Sequence, residues 1–88
     1  MTIAQENFIL EYLTFYKNVD MYSIDFHEKF HEKFGGNTKM TVHGTMYVNK
    51  AMYKLKEMYK NHKLRRCSVV YDFKVEHRPS WGYSYWLS

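Results

Sequence analysis

At 88 residues the chain has room for one domain with one modest core, so residues 1–88 are expected to form a single unit. Its lone cysteine, Cys67, excludes an internal disulfide, and an aromatic content of 19% supplies the large rings a small core needs. The net charge of +4 is unevenly placed: residues 1–38 carry three lysines against six acids, a net −3, while residues 39–88 carry ten Lys or Arg against three acids, a net +7. Such polarity favours a surface that meets a polyanion on one side.

Thr2 and Gln5 stand at capping-box spacing. Phe8, Ile9, Tyr12, Leu13, Phe15 and Tyr16 then recur at helical spacing as a wide apolar face, which predicts a helix over about residues 3–17. Ile3 and Leu10 fall on the other side, where they are available for a dimer contact. Asn18, Val19 and Asp20 read as a turn, and Met21 and Tyr22 as a very short strand. Ser23 suits the N-cap of a second helix, with Asp25 in the first turn where the helix dipole favours an acid. Phe26, Phe30 and Phe34 form one stripe at i, i+4 and i+8, and Gly35-Gly36 ends the helix. After a polar connection over residues 37–44, a third helix is expected over about 45–61. Its inner stripe is Val48, Ala51, Met52, Leu55, Met58 and Tyr59. Its outer face carries Met46, Tyr47, Asn49, Lys50, Tyr53, Lys54, Glu57 and Lys60.

The period then changes from helical to alternating. Val69, Tyr71, Phe73 and Val75 form one run and Trp81, Tyr83, Tyr85 and Leu87 a second, around Glu76-His77-Arg78-Pro79-Ser80. Two such runs about a Pro-containing loop predict an antiparallel hairpin. The fold class is therefore α+β: helix, short strand, helix, helix, hairpin.

That order resembles the winged helix-turn-helix superfamily over nearly the whole chain. Ser23-Ile24-Asp25-Phe26-His27-Glu28-Lys29-Phe30 looks like its capped second helix. Val48-Asn49-Lys50-Ala51-Met52-Tyr53-Lys54-Leu55 resembles its recognition helix, and Leu64-Arg65-Arg66 the basic lead into its first wing strand. The connection from Gly35 to Gly44 is longer than the tight turn of the simplest members. The resemblance implies a duplex-DNA-binding protein, a transcriptional regulator or a phage- or plasmid-type factor. Helix 45–60 would enter the major groove, and the wing would touch backbone or minor groove. Carried over by position, Tyr47, Asn49, Lys50 and Tyr53 are the expected base readers. Lys54, Lys60, Lys63, Arg65 and Arg66 are expected on phosphate, and Lys74, His77 and Arg78 at the wing tip. The resemblance also implies a homodimer, because members commonly dimerise on repeated half-sites.

Other readings compete with this one. The same basic face suits a protein-interaction module that docks an acidic partner. His27-Glu28-Lys29-Phe30-His31 matches H-E-x-x-H, in which two histidines share a helix face and the Glu serves a metal-bound water. No third ligand stands at a familiar downstream spacing, so neither a catalytic site, a metal nor a cofactor is expected. The repeat His27-Glu28-Lys29-Phe30-His31-Glu32-Lys33-Phe34 reads more simply as Phe facing inward with His, Glu and Lys facing water. Cys67, on a strand, is expected to be buried and inert. No stretch approaches the roughly 20 apolar residues of a membrane span. Residues 1–6 lack a basic region before an apolar run, so a cytoplasmic, nucleoid-associated location is expected.

Overall fold

The computed structural model describes residues 3–20, 23–39, 47–70 and 81–88. Thr2, Met21, Tyr22, Met46 and residues 71–80, with Lys74, His77 and Arg78, lie outside them. The described chain runs α1 (Ile3–Tyr16), β1 (Asn18–Asp20), α2 (Ile24–Phe34), α3 (Lys50–Lys60), β2 (Leu64–Val70) and β3 (Trp81–Leu87). The three strands form one antiparallel sheet in the order β1-β3-β2. Three helices on such a sheet are compatible with a winged-helix arrangement.

Helix α1 presents Ile9 and Leu13 to the core, and Phe8 anchors its contact with α2. The Phe8 ring lies 6.2 Å from Phe26, 5.8 Å from Phe30 and 5.7 Å from Phe34, the last two edge to face. Such offsets suit the quadrupoles of aromatic rings. Tyr12 extends this cluster and donates to Asp25 Oδ2 at 3.0 Å. Burial first, and the Asp25 bond second, push its phenol up to about 12. Three residues depart from the predicted faces of α1, and one of them, Tyr16, is 47% exposed. Phe15 is 77% exposed, at the rim of the stripe, where no other described element covers it. Leu10 packs against the core, so the expected dimer contact keeps only Ile3.

Lys17 ends α1 in the left-handed region, with φ 74° and its N–H on Leu13 O. The chain then enters β1 where a turn was expected. Val19 is its buried residue, directly opposite Tyr85 of β3. A three-residue strand has too little alternation to show in a sequence, and here its partner is far along the chain. Ser23 occupies the N-cap of α2, but its hydroxyl accepts from Asp20 N–H at 3.1 Å and does not cap the helix. Phe26 and Phe30 are fully buried and Phe34 half-buried, as the stripe predicts. Gly35 closes α2 at φ 80°, its N–H on His31 O. Gly36 is needed for space: a Cβ there would stand 2.7 Å from His31 Cδ2.

Helix α3 starts at Lys50, later than the predicted 45, because Asn49 caps it. The Asn49 side chain accepts from Met52 N–H at 3.0 Å and satisfies an otherwise orphaned donor. Val48 therefore lies before the helix and is 67% exposed, so the inner stripe begins at Ala51. The C-terminus closes by a Schellman motif. Lys63 N–H bonds Met58 O, His62 N–H bonds Tyr59 O, and His62 takes the left-handed position at φ 61°.

Strand β2 begins at Leu64, so Leu64-Arg65-Arg66 lies inside the strand and does not merely lead into it. The register pairs Leu64 with Leu87, Arg66 with Tyr85 and Ser68 with Tyr83, which puts these residues on the helix side of the sheet. Arg65 and Cys67, paired with Trp86 and Ser84, take the other side. Cys67 is consequently exposed, contrary to the buried thiol expected. The core comprises Ile9, Leu13, Val19, Phe26, Phe30, Ala51, Leu55, Met58, Leu64 and Tyr85. No helix among the described residues is long and apolar enough to cross a membrane.

Candidate nucleic-acid interface

The outward face of α3 is set by its helical period. Lys50, Tyr53, Lys56 and Lys60 share it, and all are exposed, Tyr53 to 65%. Tyr47 and Val48 extend it ahead of the helix. Arg65, exposed on β2, and Lys60 both line a second concavity with His62 and Arg66, beyond the end of α3. Lys50 is anchored at the α2 C-terminus, where its Nζ donates to Phe34 O at 3.2 Å. A cation there meets the negative end of the helix dipole.

Lys56 was missed in the sequence. It stands at i+3 from Tyr53 and i−4 from Lys60, a spacing that identifies it once the helix phase is fixed by the cap at Asn49.

Two expected contact residues, Asn49 and Lys54, are buried, and a third, Lys63, is exposed but paired with Glu6. Asn49, expected to read adenine, is buried with its Oδ1 committed to Met52 N–H and 3.2 Å from His27 Nδ1. In this conformation it cannot reach a base edge. Lys54, expected on phosphate, is buried, with Nζ 3.6 Å from both Glu6 Oε1 and Glu57 Oε1. Lys63 donates to both Glu6 oxygens at 2.9 and 2.7 Å. The Lys63 bond, helped by Lys54, holds the Glu6 carboxyl below its usual range. A Glu6–Lys54–Lys63 cluster thus ties α1 to the middle of α3 and to the turn that follows it. Removing one partner of a buried ion pair destabilises, because it leaves the other charge uncompensated, and here only Lys63 would still pair Glu6. Lys54→Met is accordingly expected to lower the thermal midpoint and, while the protein is folded, to leave any duplex affinity within about twofold. A large loss of affinity with the midpoint intact would return Lys54 to the contact surface.

Arg66 is also held within the protein. Its Cζ lies 4.0 Å from the Tyr59 ring centroid and 3.9 Å from that of Tyr83, and Nη1 donates to Tyr85 Oη at 3.3 Å. Lys50, Tyr53, Lys56 and Lys60 remain together on the outward face of α3, Tyr47 is exposed ahead of it, and Arg65, on the far side of the sheet, meets that face only near Lys60.

The H-E-x-x-H histidines form a structural cluster. Both are buried, not solvent-facing as the repeat suggested, while Glu28 is exposed. His31 Nδ1 lies 2.8 Å from Thr38 Oγ1, and Nε2 accepts from Ala51 N–H at 3.4 Å. That acceptor role requires the neutral ring with its proton on Nδ1. Among the described residues, no group of three or more His, Cys, Asp or Glu is placed to hold a metal ion. Burial, and then Lys50, push the His31 imidazole below its ordinary value of 6.5. The sign follows from linkage: between the lowered folded value and 6.5 the unfolded chain binds more protons, so stability falls as pH drops through that range. The urea midpoint is expected to fall between pH 7 and pH 5 more steeply for the wild type than for His31→Gln. Equal slopes for the two proteins would sink this assignment.

No known protein-family model matches the chain, and neither does any curated protein or solved structure.

Proposed function

We propose that the chain is a winged-helix protein that binds duplex DNA, with α3 in the major groove and the β2–β3 hairpin beside the phosphate backbone. The observation that carries this reading is the outward face of α3. Lys50, Lys56 and Lys60 are exposed there around Tyr53, and Arg65 continues the charge onto β2. The neighbouring acid, Glu57, is turned to Lys54. Tyr53 remains a base-reading candidate, and Lys50, Lys56, Lys60 and Arg65 are the proposed phosphate contacts.

Counterion release gives the test. Four phosphate contacts imply a slope of log K against log salt near −3.6, or roughly a hundredfold loss between about 50 and 200 mM. Fluorescence anisotropy with short random and genomic duplexes measures it. Undetectable binding at low salt would remove the DNA reading. An acidic protein partner would then be preferred, a reading favoured by the exposed Val48 and Tyr53, which offer apolar surface that phosphate does not use.

A further inference from the structure

Beside the outward face, a cleft of about 390 Å³ opens between the start of α3 and the β2–β3 pair. Val48, Met52 and Tyr53 line it from the α3 side, and Tyr83 and Tyr85 from β3. Lys56 and Arg66 complete the lining, and no acid lines it among the described residues. Its size falls at the lower end of the range of small-molecule sites.

Two features of this cleft point to one ligand chemistry. The first is its pair of cations. The Arg66 guanidinium lies over the rings of both Tyr59 and Tyr83, and the bond to Tyr85 uses one donor. A guanidinium has five N–H donors, all in its own plane, so stacking fixes the fork without occupying the rest. Lys56 is exposed and makes no ion pair among the described residues. A preordered fork beside an uncompensated ammonium suits a phosphate. The second feature is the apolar wall. Tyr53 and Val48 expose 65% and 67% of their surface, and a bare phosphate would cover neither. An apolar ligand would leave both cations without an anionic partner among the described residues. A flat ring attached to a phosphate satisfies both halves of the cleft.

We infer that this cleft binds a nucleoside monophosphate unit, its base against Tyr53 and Val48 and its phosphate at Lys56 and Arg66. The unit comes either from a free nucleotide or from an unstacked nucleotide in a single strand. The site shares Tyr53 and Lys56 with the outward face of α3 and goes beyond the duplex reading by adding Val48, Arg66 and Tyr83.

NMR titration of ¹⁵N-labelled protein with adenosine monophosphate, ribose 5-phosphate and a short oligo(dT) tests it. Adenosine monophosphate is expected to shift the amides of Val48, Tyr53, Lys56 and Tyr83. Ribose 5-phosphate is expected to bind roughly tenfold more weakly, because base–aromatic stacking is worth at least about that factor. Tyr53→Ala should weaken adenosine monophosphate by a similar factor, and its exposure keeps the variant folded. Lys56→Gln should weaken both phosphates. Tighter binding of oligo(dT) than of the mononucleotide assigns the site to a strand, and the reverse assigns it to a free nucleotide. Equal affinity for adenosine monophosphate and ribose 5-phosphate would overturn the inference, as would indifference to Tyr53→Ala. Duplex binding with no nucleotide binding would remove the cleft alone. Nucleotide binding without duplex binding would remove only the duplex reading.

Discussion

Phe30→Ala is expected to be the most destabilising single substitution among the aromatic residues of α1 and α2, at about 3–5 kcal/mol. Phe30 is fully buried, with ring centroids of Phe8 at 5.8 Å, Phe26 at 6.0 Å and Phe34 at 5.0 Å. Truncation leaves a cavity bordered by rings that already contact one another and have little freedom to collapse into it. A small domain has roughly 5–15 kcal/mol in total, so the variant should be largely unfolded at ambient temperature. Phe30→Leu, expected to cost less, keeps the measurement quantitative. Phe15→Ala supplies the contrast: at 77% exposure it should change stability by less than about 0.5 kcal/mol. Urea titration followed by far-UV circular dichroism gives all three values. Similar costs for Phe15 and Phe30 would mean that α1 is rotated from the phase described.

This contrast marks where periodicity carries information and where it stops. Phe26, Phe30 and Gly35 were legible because each follows from local rules: a repeat of four, then a residue that can take positive φ. Of the two alternating runs only the second, 81–87, marks its strand: β2 is Leu64–Val70, and the first run, 69–75, lies mostly outside the described residues. Phe15 and Phe8 belong to the same apolar face, and only the direction from which α2 approaches decides which is covered. Strand β1 exists because β3 pairs with it, so nothing within its own residues announces it.

Charged and polar residues were less legible for a related reason. Asn49 is equally suited by chemistry to cap a helix or to read adenine, and the choice depends on where α3 begins. Lys54 has the composition of a surface residue, but Glu6 from the far end of the sequence meets it in the interior. The histidines of the H-E-x-x-H run are committed to Asn49, Thr38 and Ala51 N–H, partners that no spacing within α2 reveals. In each case the residue type was visible and its partner was not. The exposed set was left incomplete in the same way, since Lys56 emerges only when the helix phase is known.

The revised set makes the sharpest demand on the proposed function. Lys50→Ala/Lys56→Ala/Lys60→Ala should reduce duplex affinity by on the order of a thousandfold at about 50 mM salt, because three of four counterion-releasing contacts are removed. The slope of log K against log salt should drop from near −3.6 to near −1, so raising salt to about 200 mM costs the variant only about three- to fourfold. Folding should survive, since all three side chains are exposed and none joins the Glu6–Lys54–Lys63 cluster. Loss of the Lys50 bond to Phe34 O is a small local cost at the end of α2. An unchanged salt slope in a folded triple variant would detach DNA binding from α3. Affinity lost equally at all salt concentrations would indicate that the lysines shape the surface and do not contact phosphate.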